Sequence, residues 1–142
     1  MNRFTASLKS FRHSSSGAVA IEFVLIAPVL ITLLFGIVTL GYFMGVSHSV
    51  SQLATGAARA SVVGLDQTER AEMANLYLSE AGTRYPLLMA DAISPTVSFD
   101  GNDPEGITVE ITYDVDGSLL DIANGLLGLG ITSIDGSAYL AY

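Results

Sequence analysis

Residues 17–46 read GAVAIEFVLIAPVLITLLFGIVTLGYFMGV, and Glu22 is the only formally charged side chain among them. From Phe23 to Val46 run 24 uncharged residues, fifteen of them Leu, Ile, Val or Phe. Wound as an α-helix at 1.5 Å per residue, they reach about 36 Å, enough to cross the ~30 Å hydrocarbon layer of a bilayer. At −0.3 to −0.6 kcal/mol per residue at mid-helix, the fifteen contribute about −4 to −9 kcal/mol to insertion. Glu22 stands at the edge, where a carboxylate costs less than the ~3 kcal/mol of a central charge. Insertion wins. Pro28 lacks an N–H and would kink this helix unless neighbouring groups satisfy the freed carbonyl.

Outward from this stretch the charge divides. Residues 1–17 hold Arg3, Lys9 and Arg12 and no acid, whereas residues 93–142 hold eight acids and no Lys or Arg. The positive-inside bias therefore predicts a basic cytoplasmic leader over 1–17 and a transmembrane helix over 18–46. Residues 47–142 then form a periplasmic or extracellular domain, as in a single-pass protein of a bacterial inner membrane. The net charge of −8 and the acidic tail repel phosphate backbones, so nucleic acid is excluded as a partner. A chain of 142 residues, less leader and span, is too short for a two-domain enzyme. It has no Cys, which excludes disulfides, thiolate chemistry and zinc ribbons. The basic leader also fits an ordinary secretory signal cut after Ser49, but a signal's apolar core is only ~7–15 residues long.

At the start of the apolar run, a small-residue junction, Gly17-Ala18, is followed by a carboxylate at Glu22 and then Phe23. An acid near a helix N-terminus is favoured by the macrodipole alone. The run Gly17-Ala18-Val19-Ala20-Ile21-Glu22-Phe23-Val24-Leu25-Ile26-Ala27-Pro28, with Phe35-Gly36-Ile37 beyond it, resembles the TadE-like minor pilins, pseudopilins of tight-adherence (Flp-type) pili. Ala57-Ala58-Arg59-Ala60 resembles the small-residue block that follows the membrane helix in that family, and Gly130 to Tyr142 resembles its closing strand. The resemblance implies cleavage by a prepilin peptidase between Gly17 and Ala18, with Glu22 and Phe23 in recognition or assembly. It further implies other pilins and pseudopilins of the system, the inner-membrane assembly platform and membrane lipid as partners. Pilus assembly and surface adhesion are the implied roles. A membrane-anchored periplasmic adaptor that never joins a fibre and a secreted soluble protein are the alternatives.

Beyond the span, Val46, Val50, Leu53, Ala54, Ala57, Ala58 and Ala60 keep a 3.6-residue rhythm, which carries the helix past the bilayer to a stop near Gly64. Asp66 and Glu69 read as a capping pair for a second helix, with Met73, Leu76, Tyr77 and Ala81 inward and an end between Gly82 and Pro86. From Ile107 to Asp116 apolar and polar residues alternate as in a half-buried antiparallel strand, and Val97 and Phe99 begin a shorter one. Ser118 to Gly128 reads as a short helix or loop with Leu119, Leu120, Ile122, Leu126 and Leu127 inward, and Ile131 to Tyr142 as one or two closing strands. The predicted fold is α+β: a long N-terminal helix and a second helix packed on three or four antiparallel strands.

Candidate chemistry is sparse. Asp114-Val115-Asp116-Gly117 resembles the middle of a calcium loop, but Thr112 and Ala123 fall where that loop needs carboxylates. Asp100, Asp103 and Glu105 read as a solvated turn. His13 and His48 flank the membrane span on opposite sides, which leaves no His pair for a metal or for acid–base work. No catalytic residue, metal ligand or cofactor is expected, and the chain does not read as an enzyme. Gly41 and Gly45 form a Gly-x-x-x-Gly pair that suits close helix packing.

Overall fold

The computed structural model describes residues 15–142, so the leader's Arg3, Lys9, Arg12 and His13 lie outside the described residues. The architecture is α+β. In chain order it comprises helix α1 (Ser15–Ser61), α2 (Gln67–Ser79), the single turn α3 (Ala81–Arg84) and a 3-10 turn (Ala90–Ala92). Strands β1 (Ile93–Phe99) and β2 (Gly106–Asp114), helix α4 (Leu119–Leu127) and strand β3 (Ser133–Ala141) complete it. The chain divides into two compact units at Val38 and Thr39.

In the first unit α1 continues through Pro28 without interruption, and Thr32 Oγ1 donates to the Pro28 carbonyl at 2.8 Å. Apolar side chains here stand open on all sides, from Val19, Ile21 and Phe23 to Leu33, Leu34 and Ile37. A helix apolar all round suits lipid or a helix bundle rather than water.

The second unit is built on the remainder of α1. Val46, Val50, Leu53, Ala54 and Ala57 are fully buried and Ala58 nearly so, as the rhythm predicts, while Ala60 is half-buried. Against this stripe lies one sheet in the order β1-β2-β3, antiparallel throughout. The central strand turns Ile107, Val109, Ile111 and Tyr113 into the core and Glu110, Thr112 and Asp114 outward. Three strands form, with a single strand from Ser133 to Ala141 closing the sheet.

After Ser61 the chain turns tightly. The Gly64 N–H donates to the Ser61 carbonyl at 3.0 Å, and a Cβ on Gly64 would lie 2.5 Å from the Arg70 amide nitrogen. Only glycine fits so close to the start of α2. Asp66 caps α2 by accepting from the Glu69 N–H at 2.9 Å, and the Glu69 carboxylate accepts from the Leu65 N–H at 2.9 Å. The inward face of α2 differs from the predicted one: Ala74 and Leu78 are buried, Met73 and Tyr77 are half-buried, and Leu76 points outward. Ala81, beginning α3, is buried as expected. In α4 the inward residues are Leu120 and Ala123, and Ile122 and Leu126 face out, again a correction. The apolar residues of α2 do not gather on one side, and those of α4 form an arc wider than the part that packs, so the period alone does not fix which residues are buried.

At one end of the sheet the acidic turn is a hydrogen-bonded loop. The Asp100 carboxylate accepts from Gly106 N–H at 2.7 Å, Asn102 Nδ2 at 2.7 Å and Tyr139 Oη at 2.9 Å. These donors, the Gly106 N–H first, hold the Asp100 carboxyl below its ordinary range. Because its folded pKa lies below the unfolded value of about 3.9, the linked stabilisation is present above that pH and disappears as pH falls through the folded value. Asp100→Ala is therefore expected to flatten the acid limb of a stability-versus-pH curve and to speed amide exchange at Gly106 near neutrality. Unchanged exchange at Gly106 would show that the loop holds itself without the carboxylate.

Beside this turn, Arg70 joins three parts of the chain. Its guanidinium stacks 3.4 Å from the Tyr142 ring centroid, its Nε donates to the Gly64 carbonyl at 2.9 Å, and Nη1 lies 3.9 Å from Glu105. Tyr142 in turn donates its backbone N–H to the Glu105 carbonyl at 3.0 Å.

Candidate processing and assembly site

Gly17 and Ala18 lie in the first turn of α1, Gly17 half-buried and Ala18 exposed. The first N–H groups of a helix have no partner within it, and glycine weakens helix formation by about 1 kcal/mol relative to alanine. This end therefore unwinds at low cost, as a protease requiring an extended strand needs. Glu22 sits one turn beyond Ala18, about 6 Å along the axis at 1.5 Å per residue. Its side chain is exposed, and among the described residues it forms no ion pair. Phe23 beside it is 67% exposed. A carboxylate at this edge of an uncovered apolar helix can be met by water or by a cation at the membrane face.

The Gly41 and Gly45 pair is split by the fold. A Cβ on Gly41 would meet nothing within 4 Å, whereas one on Gly45 would lie 3.0 Å from Leu87 Cδ1 of the same chain. Gly41 stands on an open surface, and Gly45 serves an internal contact.

Farther along α1 is a polar groove of about 510 Å³ lined by His48, Ser51, Gln52, Thr55, Gly56 and Arg59, with Tyr77 and Tyr85 as its wall. His48 and Gln52 side chains meet at 2.6 Å. Tyr77 and Tyr85 share a hydroxyl contact of 3.3 Å, and burial, then that contact, pushes Tyr85 up to about 12. The Tyr77 ring covers Gly56 so closely that a Cβ there would overlap it. The sequence reading missed this wall. Its one signal was Gly56, a glycine in the Ala- and Ser-rich last turns of α1.

The carboxylates in and beside the Asp114–Gly117 stretch serve the backbone instead. Asp114 Oδ1 accepts from the Asp116 N–H at 3.0 Å, and Asp121 from the Gly117 N–H at 3.3 Å. Gly117, at φ +70°, supplies the left-handed residue that the turn requires.

Residues 17–59 match the family model described as TadE-like protein. No curated protein and no solved structure matches the chain. The matched segment begins at Gly17 and ends at Arg59 of the groove, so it takes in the junction, Glu22, Phe23 and the whole apolar run. That helix is long and apolar enough to cross a membrane, which agrees with membrane anchoring. Over residues 17–59 the chain is similar to the TadE-like proteins, a family associated with the tight-adherence pilus system.

Proposed function

We propose that this protein is a minor pilin or pseudopilin of a tight-adherence pilus, cut by a prepilin peptidase between Gly17 and Ala18. It acts in pilus assembly and in surface adhesion. In this reading residues 1–17 are a cytoplasmic leader, 18–46 cross the inner membrane, and 47–142 form a domain on the periplasmic side. The mature chain then packs with other pilins and pseudopilins at the assembly platform. The observation that carries the reading is the junction itself: Gly17-Ala18 in the first turn of an uncovered apolar helix, with Glu22 one turn on, inside the segment that matches the family.

The chemistry is that of packing rather than catalysis. Before export the apolar helix is satisfied by lipid, and on assembly by the helices of neighbouring subunits, so one surface serves both states. Intact-mass measurement on protein extracted from membranes tests the reading. A chain beginning at Ala18 is expected. A chain beginning at Met1 would leave the anchored adaptor, and one beginning at Val50 the secreted protein.

A further inference from the structure

The connection between β2 and β3 carries an apolar face that its own chain leaves uncovered. In α4 Leu120 and Ala123 are fully buried, whereas Ile122 and Leu126 are 58% and 69% exposed and Leu129 just beyond is 46% exposed. Ile122 and Leu126 are one helical turn apart, so they share a side. Leu120 and Ala123 face in, yet the large apolar Ile122 and Leu126 face out, where water does not favour them.

The helix is firmly framed. Ser118 Oγ accepts from the Leu120 N–H at 3.1 Å, and Gly128, at φ +65°, closes the other end by donating to the Asn124 carbonyl at 2.9 Å. The Asn124 amide also holds both backbone groups of Ile131. The outward apolar side chains are therefore held in place by the fold.

The position of α4 in its domain is informative. It joins Asp114 to Ser133, at the end of the sheet where Tyr113 is buried in the core that Tyr42 of α1 packs against. The opposite end holds the acidic Asp100–Gly106 turn, Arg70 and Tyr142. A helical span beginning at Phe23 covers a ~30 Å hydrocarbon layer in about twenty residues, so it emerges near Tyr42. Tyr42 and Phe43 are the aromatic types enriched at that level.

We propose that α4 lies in the bilayer interface where α1 emerges, with Ile122, Leu126 and Leu129 at the boundary of headgroups and acyl chains. The C-terminal domain then has a second attachment to the membrane besides α1. This rests on α1 spanning the bilayer. Residues 93–142 contain no Lys or Arg, and Asp114, Asp116 and Asp121 are exposed at the same end, so apolar burial rather than attraction to anionic lipid supplies the attachment.

The absence of Cys from the chain permits a clean test. Single substitutions Ile122→Cys, Leu126→Cys, Leu34→Cys and Gly101→Cys would be made in the full chain, labelled with a fluorophore and reconstituted in phosphatidylcholine vesicles with brominated acyl chains. Gly101 is exposed with nothing within 4 Å of a Cβ, which makes it the control in water. Quenching is expected at positions 34, 122 and 126 and not at 101. Before labelling, a membrane-impermeant maleimide should react about tenfold more slowly at 122 and 126 than at 101. Quenching at 34 with fast reaction and no quenching at 122 and 126 would overturn the attachment and leave the span intact. No quenching at 34 would overturn both. Slow reaction without quenching at 122 and 126 would mean that protein, such as a second copy, covers the face, and would also overturn it.

Discussion

Glu22→Gln is expected to insert into the membrane as the unmodified chain does, yet to be lost from assemblies with other pilins. Insertion is driven by the fifteen large apolar residues beyond position 22, and removal of a charge at the edge only helps it. Cleavage after Gly17 would create a protonated amine at Ala18, one helical turn from the Glu22 carboxylate. Within a subunit the two charges partly offset each other. In the staggered bundle of the proposed pilin, the Glu22 of one subunit would instead meet the Ala18 amine of its neighbour, and only one axial offset would bring them together. Low dielectric strengthens the pair, but desolvation of both groups removes much of the gain, so its main contribution is register rather than affinity. Glu22→Asp keeps the charge on a shorter arm and should fall between. Gly17→Leu should give the same assembly defect by withholding the amine, and the two variants separate by mass, since only Gly17→Leu retains residues 1–17. Wild-type co-purification of Glu22→Gln with other pilins would reduce Glu22 to an acid favoured by the helix dipole.

The parts of this fold that were legible are those where one pattern has one solution. Val46, Val50, Leu53, Ala54, Ala57 and Ala58 bury together because their spacing allows a single face, and the alternation from Ile107 to Tyr113 fixes which side of β2 packs. Asp66 and Gly64 were readable from local chemistry, a side-chain cap and a glycine that stops the helix, and the crowding against a Cβ at Gly64 is what the structure adds. The phase of α2 and α4 was not. Leu76, Ile122 and Leu126 are as apolar as the residues that do pack, and the choice among them is made by the sheet and by the loop at Ser118 and Gly128. The Arg70, Glu105 and Tyr142 cluster joins residues distant in sequence, and the Tyr77 and Tyr85 wall depends on how α2 crosses Gly56. Such contacts leave no periodic trace. At the candidate site the balance is reversed: Gly17, Ala18, Glu22 and Phe23 are adjacent in sequence, so the motif was visible there, and the coordinates add its exposure and its place in the first turn.

Gly136→Val is expected to destabilise the C-terminal domain by several kcal/mol. Gly136 lies in the middle of β3 opposite Ile111, and here β3 passes close against α1. A Cβ there would lie 2.8 Å from Val50 Cγ1, 3.2 Å from the Ser51 backbone nitrogen and 3.2 Å from the Val50 carbonyl carbon. Two of these atoms are helix backbone, so no rotamer change relieves the overlap. Either β3 slides from its register with β2 or α1 moves outward, and both open the layer that holds Val50, Leu53 and Ile111. Overpacking by a few methyl groups costs about 1–3 kcal/mol where side chains can adjust, and more where backbone must move. Against this, replacing glycine in a strand regains only about 0.5–1 kcal/mol of chain entropy. The clash wins, and Gly136→Ala should show the same sign at smaller size. Gly125→Ala is the opposite case: it lies inside α4 with open space around the new methyl group, so it should stabilise by up to about 1 kcal/mol. Urea unfolding of the full chain in detergent, followed by near-ultraviolet tyrosine dichroism, compares the three. A Gly136→Val midpoint equal to that of the unmodified chain would mean that β3 and α1 do not meet at Val50, and the packing of the domain would have to be redrawn.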